Sequence, residues 1–124
     1  RADLANRYFR SSWEANWARY LNWLASLHEI WGWEYEPQTF EFVEIKKGTR
    51  FYTPDFKVYE KNGTYVFHEV KGYMDDKSRV KLERMAKYYP QEKIILIDAP
   101  QYKAVARKVR RLIAGWEISA KHST

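Results

Sequence analysis

The chain has 124 residues, 45% of them hydrophobic and none of them cysteine, which predicts one domain over residues 1–124 and excludes a disulfide framework or a thiolate zinc site. The formal charge of +6 is lopsided, since residues 101–124 hold six Lys/Arg against one acid; this predicts a polyanionic partner, with DNA, RNA and an anionic membrane alike on charge alone. No long apolar run or secretory pattern occurs, so the expectation is a soluble cytoplasmic or otherwise intracellular protein, not secreted and with no membrane association.

In chain order, Arg1–Arg10 is short and mixed and reads as a loosely held arm. Ser11 and Glu14 form an S-x-x-E capping box that opens a helix. Trp13, Trp17, Leu21, Leu24, Leu27 and Trp31 then recur near helical spacing up to Gly32, the expected stop, and read as core rather than as a base-stacking platform. Trp33–Tyr35 and Phe40–Ile45 read as strands separated by Pro37-Gln38, with Phe40 and Phe42 on a buried face. Lys46-Lys47-Gly48-Thr49 is a turn, and Arg50–Tyr59 is the next strand.

The stretch Tyr52–Gly72 organises the rest. Asn62-Gly63 between alternating apolar residues is a strong hairpin signal. A two-residue Asn62-Gly63 loop would set Asp55 opposite Val70 and send Asp55 and Glu69 to opposite faces. A three-residue loop, Lys61-Asn62-Gly63, sets Asp55 opposite Glu69, and its last position wants the left-handed backbone that Gly63 takes freely. The three-residue loop, or a bulge with the same effect, is the prediction. Alternation then puts Glu69 and Lys71 on the face of Asp55, and Val70 and His68 on the other, where His68 reads as structural.

Two carboxylates and an ammonium converging on one patch suit phosphodiester cleavage. Mg²⁺ takes oxygen ligands, commonly one or two carboxylates plus water and substrate phosphate. A lysine beside it can orient the attacking water or stabilise charge on the phosphate. The simpler alternative is a cross-strand Asp55–Lys71 ion pair on a solvated sheet face.

After Gly72, Asp75 or Asp76 caps a second helix whose Leu82, Met85, Ala86 and Tyr89 face the sheet. Lys77, Lys81 and Arg84 form a second stripe, either a solvated face or a surface that tracks DNA phosphates. Pro90 ends that helix, and Ile94–Ile97 fits a buried strand. Tyr102, Val105, Val109, Leu112 and Ile113 mark a third, basic helix closed by Gly115. Lys103, Arg107, Arg110 and Arg111 lie off its apolar stripe, as a solvated face or a salt-sensitive DNA contact, and residues 116–124 read as a tail. The order is helix, three strands, helix, strand, helix, an α/β fold with a mixed central sheet flanked by helices.

Pro54-Asp55 and Glu69-Val70-Lys71 together resemble the two half-motifs of the PD-(D/E)XK nuclease superfamily. The runs Tyr52–Phe56 and Glu69–Gly72 look most like its phage endonuclease I family of Holliday-junction-resolving enzymes, and the likeness extends over about residues 11–98. The resemblance implies an αβββαβ core and a Mg²⁺-dependent endodeoxyribonuclease, with Mn²⁺ a plausible substitute. Asp55, Glu69 and the Val70 carbonyl would bind the metal, and Lys71 would assist the attacking water. The products would carry a 5′-phosphate and a 3′-hydroxyl. In the resemblance an acidic residue of the first helix completes the metal site, which gives Glu14 a second reading besides capping. Selectivity for branched or junction DNA would imply a homodimer. The alternatives are a nicking or end-cleaving subunit that depends on a partner, a noncatalytic DNA-binding module, and a nuclease acting on RNA.

Overall fold

The computed structural model describes residues 1–118. Three helices, α1 (Ser12–Ser26), α2 (Asp76–Tyr88) and α3 (Ala99–Val109), pack around six strands. Four of these, β1 (Ile30–Tyr35), β4 (Phe56–Glu60), β5 (Tyr65–Lys71) and β6 (Ile94–Asp98), form one mixed sheet in the order β1-β4-β5-β6. The first three run antiparallel, and β6 joins β5 in parallel after the α2 crossover. The other two, β2 (Phe40–Glu41) and β3 (Phe51–Tyr52), pair as a separate antiparallel ribbon.

Strand alternation splits the core in two. Phe56, Val58, Val66, Val70 and Ile97 point to the face covered by α1 and α3, where Trp13 stacks on Tyr102 at 4.1 Å. Phe67 points to the opposite face, which Met85 of α2 and Phe40, Phe42 and Tyr52 of the ribbon region cover. Among the described residues no helix is long and apolar enough to cross a membrane.

Several elements differ from expectation. The first helix ends at Ser26 rather than at Gly32, because His28 turns left-handed (φ 61°) and the chain then pairs with β4. Trp31, expected on the helical stripe, is instead an exposed residue of edge strand β1, and Gly32 sits at a shift in its register. The expected strand Phe40–Ile45 is only two residues long. The expected strand Arg50–Tyr59 is broken over Thr53–Asp55, where Pro54 lacks the N–H a ladder needs. Ile94–Ile97 forms its strand at a sheet edge, with only Ile97 fully buried. The third helix stops at Val109, leaving Arg110 and Arg111 beyond it and Leu112 exposed.

Arg1–Arg10 is packed rather than loose. Leu4 and Phe9 are buried, and Asp3 pairs with the buried Arg19 at 2.7 Å. Glu117 of the expected tail is held by Arg1 and Arg19, both at 2.8 Å, so the two ends of the described chain are tied over α1. Residues 119–124 of that tail lie outside the described residues.

Candidate active site

The hairpin of β4 and β5 sets the site. Phe56 faces His68 and Tyr59 faces Tyr65, and the same register continued by one residue at each end sets Glu60 against Thr64 and Asp55 against Glu69. Glu60 N–H donates to the Thr64 carbonyl at 2.8 Å, and Gly63 closes the turn at φ 90°. The loop is therefore Lys61-Asn62-Gly63, as predicted, and Asn62 Oδ1 steadies it by accepting from Thr64 N–H at 3.0 Å.

Asp55 stands at the break just before β4. Its carbonyl accepts from Glu36 N–H at 2.7 Å, while its own Oδ2 accepts from Val70 N–H at 2.8 Å. The side chain thus takes the place of a backbone ladder partner for β5. Glu69 Oε1 accepts from the Tyr52 hydroxyl at 2.7 Å and, at a longer 3.3 Å, from Asp55 N–H. Each carboxylate has one oxygen fixed in this way. Among the described residues no hydrogen bond engages Asp55 Oδ1 or Glu69 Oε2.

Glu14 joins from the opposite layer. Ser11 caps α1 by accepting from Glu14 N–H at 3.1 Å, which is half of the expected capping box. The Glu14 carboxylate does not complete the other half. It accepts from Tyr35 Oη and, at 3.3 Å, from Ser11 Oγ. Tyr35 is the β1 partner of Phe56, so the strand that flanks Asp55 also aims Glu14.

Asp55, Glu14 and Glu69 are only 7–8% exposed, and this crowding sets their protonation. Burial, then the Glu69 and Glu14 charges, push the Asp55 carboxyl up to about 9 against the opposing pull of the Val70 N–H and Lys71. Burial also raises Glu69, opposed by the Tyr52 hydroxyl and Lys71, and it raises Glu14, opposed by Tyr35 and Ser11. The Asp55–Glu69 pair therefore holds a proton near neutral pH when no cation is bound. A small divalent cation would displace that proton, and the free oxygens supply the hard donors it prefers. Among the described residues no group of three or more His, Asp or Glu is placed to hold a metal ion.

Lys71, half-buried on the same face, forms no ion pair with either acid, so the cross-strand Asp55–Lys71 pair is absent among the described residues. It lies between two clefts. One, of about 330 Å³, is lined by Arg10, Glu14, Val70, Lys71, Tyr73 and Asp75. The other, of about 50 Å³, is lined by Tyr52, Thr53, Glu69, Lys71, Ser78 and Lys81. His68 points to the α1 face, accepts from Trp17 Nε1 at 3.0 Å, and is pushed down to about 4 by burial, so it is structural as expected.

The expected phosphate-tracking residues separate. Lys81 lines the smaller cleft, Lys77 is exposed outside both, and Arg84 donates to the Thr49 carbonyl. Lys103, Arg107, Arg110 and Arg111 are exposed, but α3 covers the sheet face opposite Asp55 and Glu69, so they are not brought to the site. Gln38 is exposed and accepts from Lys57 at 3.1 Å. The roles of Tyr52 and Tyr35, which orient two of the three acids, are not anticipated by the sequence reading. Tyr52 stands three residues before Asp55 in the motif run, but only the ribbon packing turns its hydroxyl to Glu69. No family model matches this sequence, and no curated protein matches it either.

Proposed function

We propose that this chain is a Mg²⁺-dependent endodeoxyribonuclease of the PD-(D/E)XK type. One observation carries the reading: Asp55 and Glu69 meet at the open end of the hairpin, where Asp55 Oδ2 accepts from Val70 N–H and Glu69 Oε1 accepts from Asp55 N–H, each carboxylate keeping one oxygen free, with Lys71 on the face of Glu69. The order helix, three antiparallel strands, helix, parallel strand in the larger sheet supports the αβββαβ core that the resemblance implies.

Asp55 Oδ1 and Glu69 Oε2 would hold the cation, with the Val70 carbonyl as a further ligand and Glu14 steadying a second ion or a water. Bound there, Mg²⁺ supplies Lewis-acid activation of a phosphoryl oxygen and of water. The chain's own residues do the rest. Val70 N–H and Tyr52 fix the two carboxylates, so little reorganisation is needed on loading. Lys71 orients the attacking water and offsets charge on the phosphate, leaving a 5′-phosphate and a 3′-hydroxyl. Lys103, Arg107, Arg110 and Arg111 would form a separate basic patch that attracts DNA in a salt-sensitive way. Branched or junction DNA is the substrate the resemblance favours, which would call for a homodimer presenting two sites.

Incubating the chain with linear, nicked, branched and four-way DNA, with Mg²⁺ and with EDTA, tests the reading. Mg²⁺-dependent scission is expected, strongest on the branched forms. Intact DNA throughout, together with no heat of Mg²⁺ binding in calorimetry, would reduce the chain to a noncatalytic module.

A further inference from the structure

Lys81 lies one helical turn after Lys77 on α2, yet the two meet different surroundings. Lys77 is exposed in solvent, whereas Lys81 is half-buried in the wall of the 50 Å³ cleft. Ser78 and Thr53 share that wall, as does Lys71. Neither lysine of the cleft forms an ion pair among the described residues. The Asp75 carboxyl at the head of α2 is held below its ordinary value first by the hydrogen bonds from Ser78 and then by the charges of Lys71 and Lys81. The cleft accommodates roughly three to five water-sized groups, about the oxygens of one tetrahedral oxyanion. Within the lining the two lysines outnumber the one carboxylate, Glu69, while Asp75 stands near both lysines outside it.

We propose that this cleft is a phosphate subsite adjoining the position where hydrolysis occurs, with Lys81 as its principal cation. The inference rests on the nuclease reading for its setting. A strand whose scissile phosphate lies against Asp55 and Glu69 places a neighbouring phosphate in the cleft, and Lys71 stands between the two. The subsite fixes the strand's direction across the carboxylates. Lys81 is thus a positioning residue.

The chemistry recognised is a phosphate oxyanion, from a phosphodiester or as free phosphate, and the test separates these. The salt dependence of DNA binding is measured in EDTA for the wild type, Lys81→Met and Lys77→Met. Lys81→Met is expected to weaken binding about tenfold and to lower the slope of log K against log salt by about 0.9, with Lys77→Met near wild type. The second arm measures the rise in melting temperature with inorganic phosphate at constant ionic strength. A rise in the wild type that Lys81→Met abolishes, with DNA slopes unchanged, assigns the cleft to free phosphate. Equal slope losses from both lysines, or no loss in either arm, overturn the subsite. Melting of Lys81→Met at the wild-type temperature without phosphate confirms that it folds. Cleavage with Mg²⁺ is scored separately, so an inactive wild type refutes the nuclease reading while the binding arms still judge the subsite.

Discussion

Replacing Asp55 by asparagine turns the crowding of the site into a measurable pH dependence. An ordinary aspartate loses its proton near pH 4, but in the folded protein Asp55 holds its proton up to about pH 9. Between those values the native state binds a proton that the unfolded chain has released, so stability falls as pH rises, by at most about 1.4 kcal/mol per unit. His68 has the opposite sign. Its folded value of about 4 lies below the ordinary 6.5, so its contribution grows with pH and is complete above about pH 7. The window from about pH 7 to about pH 9 therefore isolates the carboxylates. With Asp55 half-titrated at the upper end, the metal-free wild type should lose about 2 kcal/mol across it, a fall in melting temperature of roughly 8 °C. The substituted amide keeps an oxygen for the Val70 N–H and has nothing to titrate. Asp55→Asn should accordingly show a nearly flat profile, and it should exceed the wild type in stability at the alkaline end. Urea denaturation of both proteins in EDTA reads this directly. Parallel profiles would refute the claim that burial and like charge hold a proton on this pair.

Tyr52→Phe leaves Glu69 Oε1 with only the 3.3 Å contact from Asp55 N–H, so denaturation should show a loss of about 1–2 kcal/mol. The Glu69 carboxyl should also rise further, which calorimetry would detect as weaker Mg²⁺ binding at neutral pH. Lys71→Met should retain Mg²⁺ binding while single-turnover cleavage falls about 10²- to 10³-fold. Gly63→Ala meets no atom within 4 Å and pays only for the left-handed backbone, so denaturation should report about 1 kcal/mol with the hairpin register kept.

The hairpin was readable because its information is local. Asn62-Gly63 sets the turn, alternation sets the faces, and together they place Asp55 against Glu69 with no knowledge of the remaining fold. Asp75, Pro90 and the apolar run at Ile94 mark the α2–β6 crossover in the same way. What escaped depends on partners distant in sequence. His28 ends α1 early because β1 can pair with β4, and helical spacing through Trp31 carries no trace of that competition. The ribbon of β2 and β3 is separate from the main sheet because Pro54 interrupts the strand, and only that packing brings the Tyr52 hydroxyl to Glu69. Side-chain spacing on α2 groups Lys77, Lys81 and Arg84, whereas their neighbours on the ribbon and the Thr49 loop give the three different tasks.

Asp55→Asn tests most directly whether Asp55, Glu69 and Lys71 act together on a DNA phosphate. Wild type and variant are compared on the same branched DNA with Mg²⁺, with cleavage products resolved on a denaturing gel and binding followed in parallel. Scission by the wild type, none by Asp55→Asn, and equal DNA affinity for the two are expected. Undiminished cleavage by Asp55→Asn, in a preparation free of other nucleases, would contradict it.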